Sequence, residues 1–178
     1  MRLKEESSLF IMIDVQEKFR GKVHEFSELV KRCSILNQSA EILGIPLLIT
    51  EQYPSGLGKT LDEIYIPDET MIVEKKSFTV FEKYVSTLIA KQGKKQLIVY
   101  GIEAHICVTQ TCLDALDKGY EVFLVIDAIS SREEKNKNIA VKRLINAGCE
   151  AVSTEMLLFE LLQSAEHPTF KEIAKLIK

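Results

Sequence analysis

Two hydrophobic periods alternate along this chain. Ser8-Leu-Phe-Ile-Met-Ile13 is a continuous apolar run that stops at Asp14, as in a strand covered on both faces. From Phe26 to Leu43 the spacing becomes helical: Phe26, Leu29, Val30, Cys33, Leu36, Ala40 and Leu43 fall on or near one stripe, and Gly44 stops it. Ile45–Thr50 predicts the next strand, and Glu51–Pro67, rich in Pro, Gly and Tyr, a long loop with a short helix near Thr60. Met71–Val73 predicts a short strand, and Val80–Lys91 a helix ending before Gly93. The alternation then becomes regular. Leu97–Tyr100 predicts a strand, about His105 to Lys118 a helix closed by Gly119, and Glu121–Ile126 a strand ending at Asp127. Glu133–Ala147 predicts a helix followed by Gly148, Ala151–Val152 a short sixth strand, Thr154 to about Leu162 a helix, and the residues after Pro168 a last one. Repetition of strand and helix predicts an α/β fold with a parallel sheet and helices on both of its faces. No linker, repeat or low-complexity tract divides residues 1–178, so one domain is expected.

Composition narrows the function classes. The 178 residues are 46% hydrophobic and 28% charged, with a formal charge of −3, which carries neither a basic nucleic-acid footprint nor an acidic tail. With no long uninterrupted apolar run, no membrane span is expected. The start, Met-Arg-Leu-Lys-Glu-Glu, lacks the apolar stretch of a secretory signal. The cysteines Cys33, Cys107, Cys112 and Cys149 form no Cys-x-x-Cys, so free thiols and a cytoplasmic location are expected. Trp is absent and neither common phosphate-binding glycine loop occurs, which leaves little for base stacking or nucleotide binding.

In an open parallel sheet, sites form beyond the carboxyl ends of the strands. Asp14 closes the first strand, Lys75 and Lys76 follow the third, and Cys107 follows the fourth at the start of a helix. Unpaired backbone N–H groups at a helix start favour thiolate. A carboxylate can take the thiol proton and later return it, a neighbouring ammonium holds the pair in register, and backbone N–H groups near Cys107 can receive charge on a substrate oxygen. Each residue also has an ordinary structural reading: Asp14 as a helix cap, the lysines as a solvated pair, Cys107 as core filling. His105 lies only two residues from Cys107, a poor placement for its base, and His24 and His167 belong to no ligand pattern.

With these residues in view, the chain resembles the isochorismatase-like cysteine hydrolases. The resemblance rests on Ile13-Asp-Val-Gln-Glu-Lys-Phe19, Glu74-Lys-Lys-Ser-Phe78, Gly101-Ile-Glu-Ala-His-Ile-Cys-Val108, Ala115 through Gly119-Tyr-Glu-Val122, and Asp127-Ala128. Within that superfamily it looks most like the isochorismatase domain-containing proteins, through Glu41–Pro46, Thr50–Pro54 with Gly56–Gly58, and the tail segments Phe159–Leu162 and His167–Lys171. The resemblance implies a three-layer, Rossmann-like α/β/α fold around a mostly parallel six-stranded sheet, and an Asp–Lys–Cys triad falling on Asp14, Lys75 and Cys107. Lys75 is preferred to Lys76 because it stands three residues before Phe78. The resemblance also implies a non-proline cis peptide at Ile102–Glu103, in an oxyanion turn that includes Cys107. The expected substrate pocket comprises Gln16, Phe19, Glu51, Tyr53, Phe78 and His105. Gln52 stands beside Glu51 and Tyr53 at its mouth, with a loop-fixing role the alternative for Glu51.

Members that hydrolyse nicotinamide usually carry a metal-binding Asp-x-His after the second strand. Here Glu51-Gln-Tyr53 stands in that place, and no histidine occurs between His24 and His105, so neither zinc nor another cofactor is expected. With a cysteine present, hydrolysis of a small amide, ureido or ester substrate through a covalent acyl-enzyme is the favoured reading. The alternatives are vinyl ether hydrolysis of the isochorismatase type and a weakly active binding or scaffold protein. The expected partner is a small molecule, with no nucleic acid and no membrane. The resemblance implies a homo-oligomer, dimer or tetramer, for which Met156, Leu157, Phe159, Leu161 and Leu162 are a candidate surface, the same stripe serving equally well in the core.

Overall fold

The computed structural model describes residues 2–178. Six strands form one sheet: β1 (Ser8–Ile13), β2 (Leu47–Gln52), β3 (Met71–Lys75), β4 (Gln96–Ile102), β5 (Glu121–Ser130) and β6 (Glu150–Val152). They lie in the order β3-β2-β1-β4-β5-β6, with every neighbouring pair parallel. The helices are α1 (Phe26–Leu43), α2 (Pro54–Leu57), α3 (Lys83–Lys91), α4 (Thr109–Asp117), α5 (Glu134–Ala147), α6 (Thr154–Leu162) and α7 (Phe170–Ile177).

Parallel crossovers are right-handed, so the direction in which the chain moves across the sheet decides which face its helix covers. The crossover from β1 to β2 moves one way and puts α1 on one face. The crossovers into β4, β5 and β6 move the other way and put α3, α4 and α5 on the opposite face. The last two helices, α6 and α7, pack on α1 and on each other. The product is a three-layer α/β/α sandwich. The order reverses between β1 and β4, and that junction opens the crevice in which such sheets hold ligands.

Burial follows this layout. Every residue of β1 and β4 is buried, as continuous apolar runs require of strands covered on both faces. The edge strand β3 alternates instead, with Val73 and Lys75 inward and Ile72 and Glu74 outward. Gly101 in β4 has φ 113°, and a Cβ there would fall on the Ile13 carbonyl oxygen. Only glycine lets the ends of β1 and β4 approach so closely, and those ends carry Asp14 and the turn to Cys107.

The elements depart from the sequence pattern in several places. The strand β2 starts and ends two residues later than predicted, and β3 runs two residues further, to Lys75. The strands β4 and β5 run on beyond their apolar cores, through Ile102 and Ser130, past an irregularity in their pairing between Val99 and Gly101. The short helix in the long loop lies at Pro54–Leu57, where proline starts a helix readily, while Thr60 bridges to Gln16. The α3 helix starts at Lys83, because the Glu82 carboxylate accepts the Lys76 and Ser77 N–H groups and Val80 N–H donates to Thr111 Oγ1, which hold the preceding residues as a loop. The helix predicted from His105 is split: Ala104–Val108 is a wide π-type turn, and regular helix begins at Thr109. Among the described residues no helix is long and apolar enough to cross a membrane.

Candidate active site

The chain leaves β1 at Asp14 with φ 51°, a left-handed conformation that aspartate tolerates better than most residues. Its N–H donates to Thr50 O at 3.1 Å, which ties the end of β1 to β2. The Asp14 carboxylate is buried. Its Oδ1 accepts from Thr50 Oγ1 at 2.8 Å and its Oδ2 from Lys75 Nζ at 2.7 Å. The Cys107 thiol stands beside this carboxylate and the Lys75 ammonium, near enough for both to act on it.

Lys75 is the last residue of β3, and the two-residue period of the strand turns it inward and leaves Lys76 exposed. Besides Asp14, its ammonium donates to Gln52 Oε1 at 2.7 Å, Phe78 O at 3.0 Å and Ser77 O at 3.2 Å. An ammonium has three N–H groups, so all of them are engaged by these four acceptors. A charge buried this fully is tolerable only when it is paired and hydrogen-bonded, as Lys75 is.

Cys107 sits in the wide turn after β4. The Ile102–Glu103 peptide is cis. Glu103 O accepts from Ile106 N–H at 3.0 Å and Val108 N–H at 3.3 Å, and Thr109 Oγ1 donates to Ala104 O at 2.6 Å, which close the turn around the thiol. The Glu103 carboxylate accepts from Arg132 N–H at 3.1 Å and Nε–H at 3.0 Å. A cavity of about 100 Å³ opens over Cys107. Its floor is Asp14, Gln52, Glu103 and Cys107, and its walls are Phe19, Leu57, Phe78, Ile102 and Ile106. A larger cleft of about 440 Å³ lies on the other side of Lys75, between Tyr53, Pro54, Glu74 and Glu82, and does not reach Cys107.

The electrostatics overturn one expectation. Burial, and then the Asp14 carboxylate, push the Cys107 thiol up to about 12, and Lys75 only partly opposes them. The unpaired N–H groups of a helix start therefore do not leave a thiolate here. Burial likewise raises the Asp14 carboxyl above its ordinary value, against the lowering effect of Lys75, Thr50 and Cys107. Cys107 therefore rests as a thiol, beside the Asp14–Lys75 pair.

Asp14, Lys75 and Cys107 thus come together, and Phe19, Phe78, Ile102 and Glu103 line the cavity beside them. Four other expected pocket residues lie elsewhere. Gln16 is buried as a clamp: its Nε2 donates to Gln52 O at 3.0 Å and Gly58 O at 2.6 Å, and its Oε1 accepts from Gln52 N–H at 2.8 Å. Glu51 Oε1 accepts from Thr60 N–H at 2.7 Å and Oγ1 at 2.9 Å, so it fixes the loop and does not meet the cavity. Tyr53 is 57% exposed and lines the larger cleft. His105 turns its Nδ1 to Ser131 Oγ at 2.9 Å, away from the thiol. Of the residues expected at the mouth, only Gln52 reaches the cavity, because alternation along β2 sends Glu51 and Gln52 to opposite faces. Leu57 and Ile106 are wall residues that no spacing in the sequence marks as such. On α6, Leu157, Leu161 and Leu162 are core residues, whereas Met156 and Phe159 are exposed. Among the described residues, no group of three His, Cys, Asp or Glu side chains is gathered closely enough to hold a metal ion.

Comparison with known proteins agrees with this architecture. Residues 8–156 match the isochorismatase domain. The chain is 36% identical over 177 residues to isochorismatase domain-containing protein 1 of Danio rerio, covering 99% of this chain but only 62% of that protein. It is 39% identical over 177 residues to isochorismatase domain-containing protein 2 of the same fish, covering 99% of this chain and 89% of that protein. Among solved structures, that of the MAR1 ribonuclease from Caenorhabditis elegans superposes with a TM-score of 0.95 at 35% identity, covering 99% of this chain and 92% of that one.

Proposed function

The chain belongs to the isochorismatase family, whose fold is that of a hydrolase, and from that premise we propose that it is a cysteine hydrolase of a small amide, ureido or ester substrate. The observation that carries this reading is the buried cluster in which Lys75 holds the Asp14 carboxylate at 2.7 Å and both groups stand beside the Cys107 thiol at the cavity.

With its thiol held near 12, Cys107 is a nucleophile only as its proton leaves. Asp14 takes that proton while sulfur attacks the substrate carbonyl carbon and forms the carbon–sulfur bond. A buried carboxyl whose pKa is raised is the more basic for it, which narrows the gap to the thiol. The carbonyl oxygen gains the negative charge. Since Ile106 and Val108 N–H are spent on Glu103 O, the Cys107 N–H is the donor proposed to meet it. Asp14 then passes its proton to the departing nitrogen or oxygen, the bond to that atom breaks, and a thioester remains. Water attacks the thioester as Asp14 removes its proton. The acid leaves, sulfur takes the proton back, and the balance is one water consumed per acyl bond cleaved. Lys75 neither gives nor takes a proton in this scheme; it fixes the carboxylate and offsets its charge.

The name of the C. elegans relative raises RNA cleavage as an activity for this chain. A formal charge of −3 and a cavity with no cationic side chain in its lining oppose a polyanionic substrate.

The test is a panel of small amides, ureido compounds and esters, with intact-protein mass spectrometry during turnover. An active substrate should add its acyl mass to the protein, and Cys107→Ala should show neither the adduct nor turnover while melting as a folded protein. Turnover retained in Cys107→Ala refutes the proposal.

A further inference from the structure

We infer that the group Cys107 attacks belongs to an uncharged substrate, and that substrates carrying a carboxylate near the scissile carbonyl are rejected by charge. This rests on the hydrolase reading above and adds the substrate class.

Asp14 and Glu103 line the cavity with their carboxylates already paired, to Lys75 and to Arg132, and no cationic side chain belongs to the lining. Lys75 has every N–H engaged, and its side chain is fully buried behind Asp14. Arg132 gives its Nε–H to Glu103 and is not part of the lining. Gln52 is uncharged and partly committed: its Oε1 accepts from Lys75 and one Nε2–H donates to Lys76 O at 2.7 Å. The remaining surface is hydrocarbon from Phe19, Leu57, Phe78, Ile102 and Ile106. A ligand carboxylate placed here would be desolvated with no cation in the lining to pair with it, whereas a neutral apolar acyl group replaces water at no such cost. The volume of about 100 Å³ lies well under the 300–1,000 Å³ usual for larger ligands, so the group bound is also short. Isochorismate, with two carboxylates, fits neither condition.

Iodoacetamide and iodoacetate differ by one neutral amide against one carboxylate and react with the same sulfur, displacing iodide. The experiment measures the rate at which each alkylates Cys107 in the intact protein, by peptide mass, against their rates on a small free thiol at the same pH and salt. The amide-to-acid rate ratio at Cys107 should exceed the free-thiol ratio by at least about tenfold, since desolvating a carboxylate with no partner in a partly buried site costs more than that factor represents. A ratio within about twofold of the free thiol overturns the inference while leaving the nucleophile intact. If Cys107 reacts with neither reagent, as a thiol near 12 allows, the hydrolase reading is left to the substrate panel above. The charge inference is then decided by binding of isobutyramide and isobutyrate to Cys107→Ser: half-saturation by the amide at a tenfold lower concentration supports it, and equal binding overturns it.

Discussion

Replacing Lys75 by methionine tests the site as a physical object. Methionine keeps most of the length and volume and removes the charge, so the loss reports electrostatics more than packing. The substitution strips Asp14 Oδ2 of its 2.7 Å partner and leaves Gln52 Oε1, Ser77 O and Phe78 O without the ammonium. Removing one member of a buried ion pair costs about 3–5 kcal/mol, because the surviving charge is left uncompensated. In a domain of this size that is a fall in melting temperature of roughly 6–20 °C. The pH dependence has a definite sign. Lys75 lowers the Asp14 pKa against burial, so without it the folded-state value rises further above that of the unfolded chain. A group with a raised folded pKa binds its proton more tightly in the native state. The stability it contributes is fully present below the unfolded value, near 4, and lost as pH rises through the folded value. The variant should therefore be weakest at pH 8 and recover relative to wild type on acidification, as Asp14 becomes a neutral acid that needs no cation. Urea unfolding at pH 8 and pH 5 measures both quantities. A loss under about 1 kcal/mol at pH 8, or a gap that widens toward pH 5, would refute the view of Lys75 as the compensating charge for Asp14. In the double variant Asp14→Leu/Lys75→Met, with no charge left to strand, a good part of the stability should return, and its absence would point to packing instead.

Asp14→Asn should cut turnover by about 10²- to 10⁴-fold, the usual worth of a general base. The same variant should raise alkylation of Cys107 at pH 8, because the charge that elevates the thiol pKa is gone and Lys75 remains to lower it; slower alkylation would contradict that assignment of causes. In the wild-type protein, the alkylation rate of Cys107 should climb with pH and reach no plateau below about pH 11, given a thiol near 12, and a plateau by pH 8 would mean a thiolate at rest. Light scattering should give a mass above the 20.2 kDa of one chain, reduced by charging the two exposed apolar residues of α6 in Met156→Glu/Phe159→Glu; a monomeric wild type would dispose of that surface.

The residues at the strand ends were readable because of what an apolar run means. A chain buried on both sides can admit a charge only where it leaves the core, so Asp14 after Ser8–Ile13 had to stand at the rim of the sheet. Lys75 was preferred through the resemblance, since the apolar run ends at Val73; only with β3 extended to Lys75 does the period of two separate it from its neighbour. The same rule at the end of β2 separates Gln52, which reaches the cavity, from Glu51, which does not. Reach across the pocket was harder to read. Gln16 and His105 both stand within a few residues of the triad, yet each is diverted by a partner far away in sequence, Gly58 for one and Ser131 for the other.

The ionisation of Cys107 shows why the remainder needs three dimensions. Position in the chain places the cysteine at a helix start, and a helix start on its own favours thiolate. The competing terms are set by how much protein surrounds the sulfur and by which charges stand near it. Burial and Asp14 both disfavour a second negative charge, and the one cation nearby is already divided among four acceptors. A free thiolate beside Asp14 would put two anions into a cavity whose lining offers no free cation, so the proton remains until a substrate carbonyl can receive the charge. The arrangement that makes the thiol inert at rest thus also makes Asp14 necessary, and it is the same lack of a free cation that sets the cavity against anionic substrates.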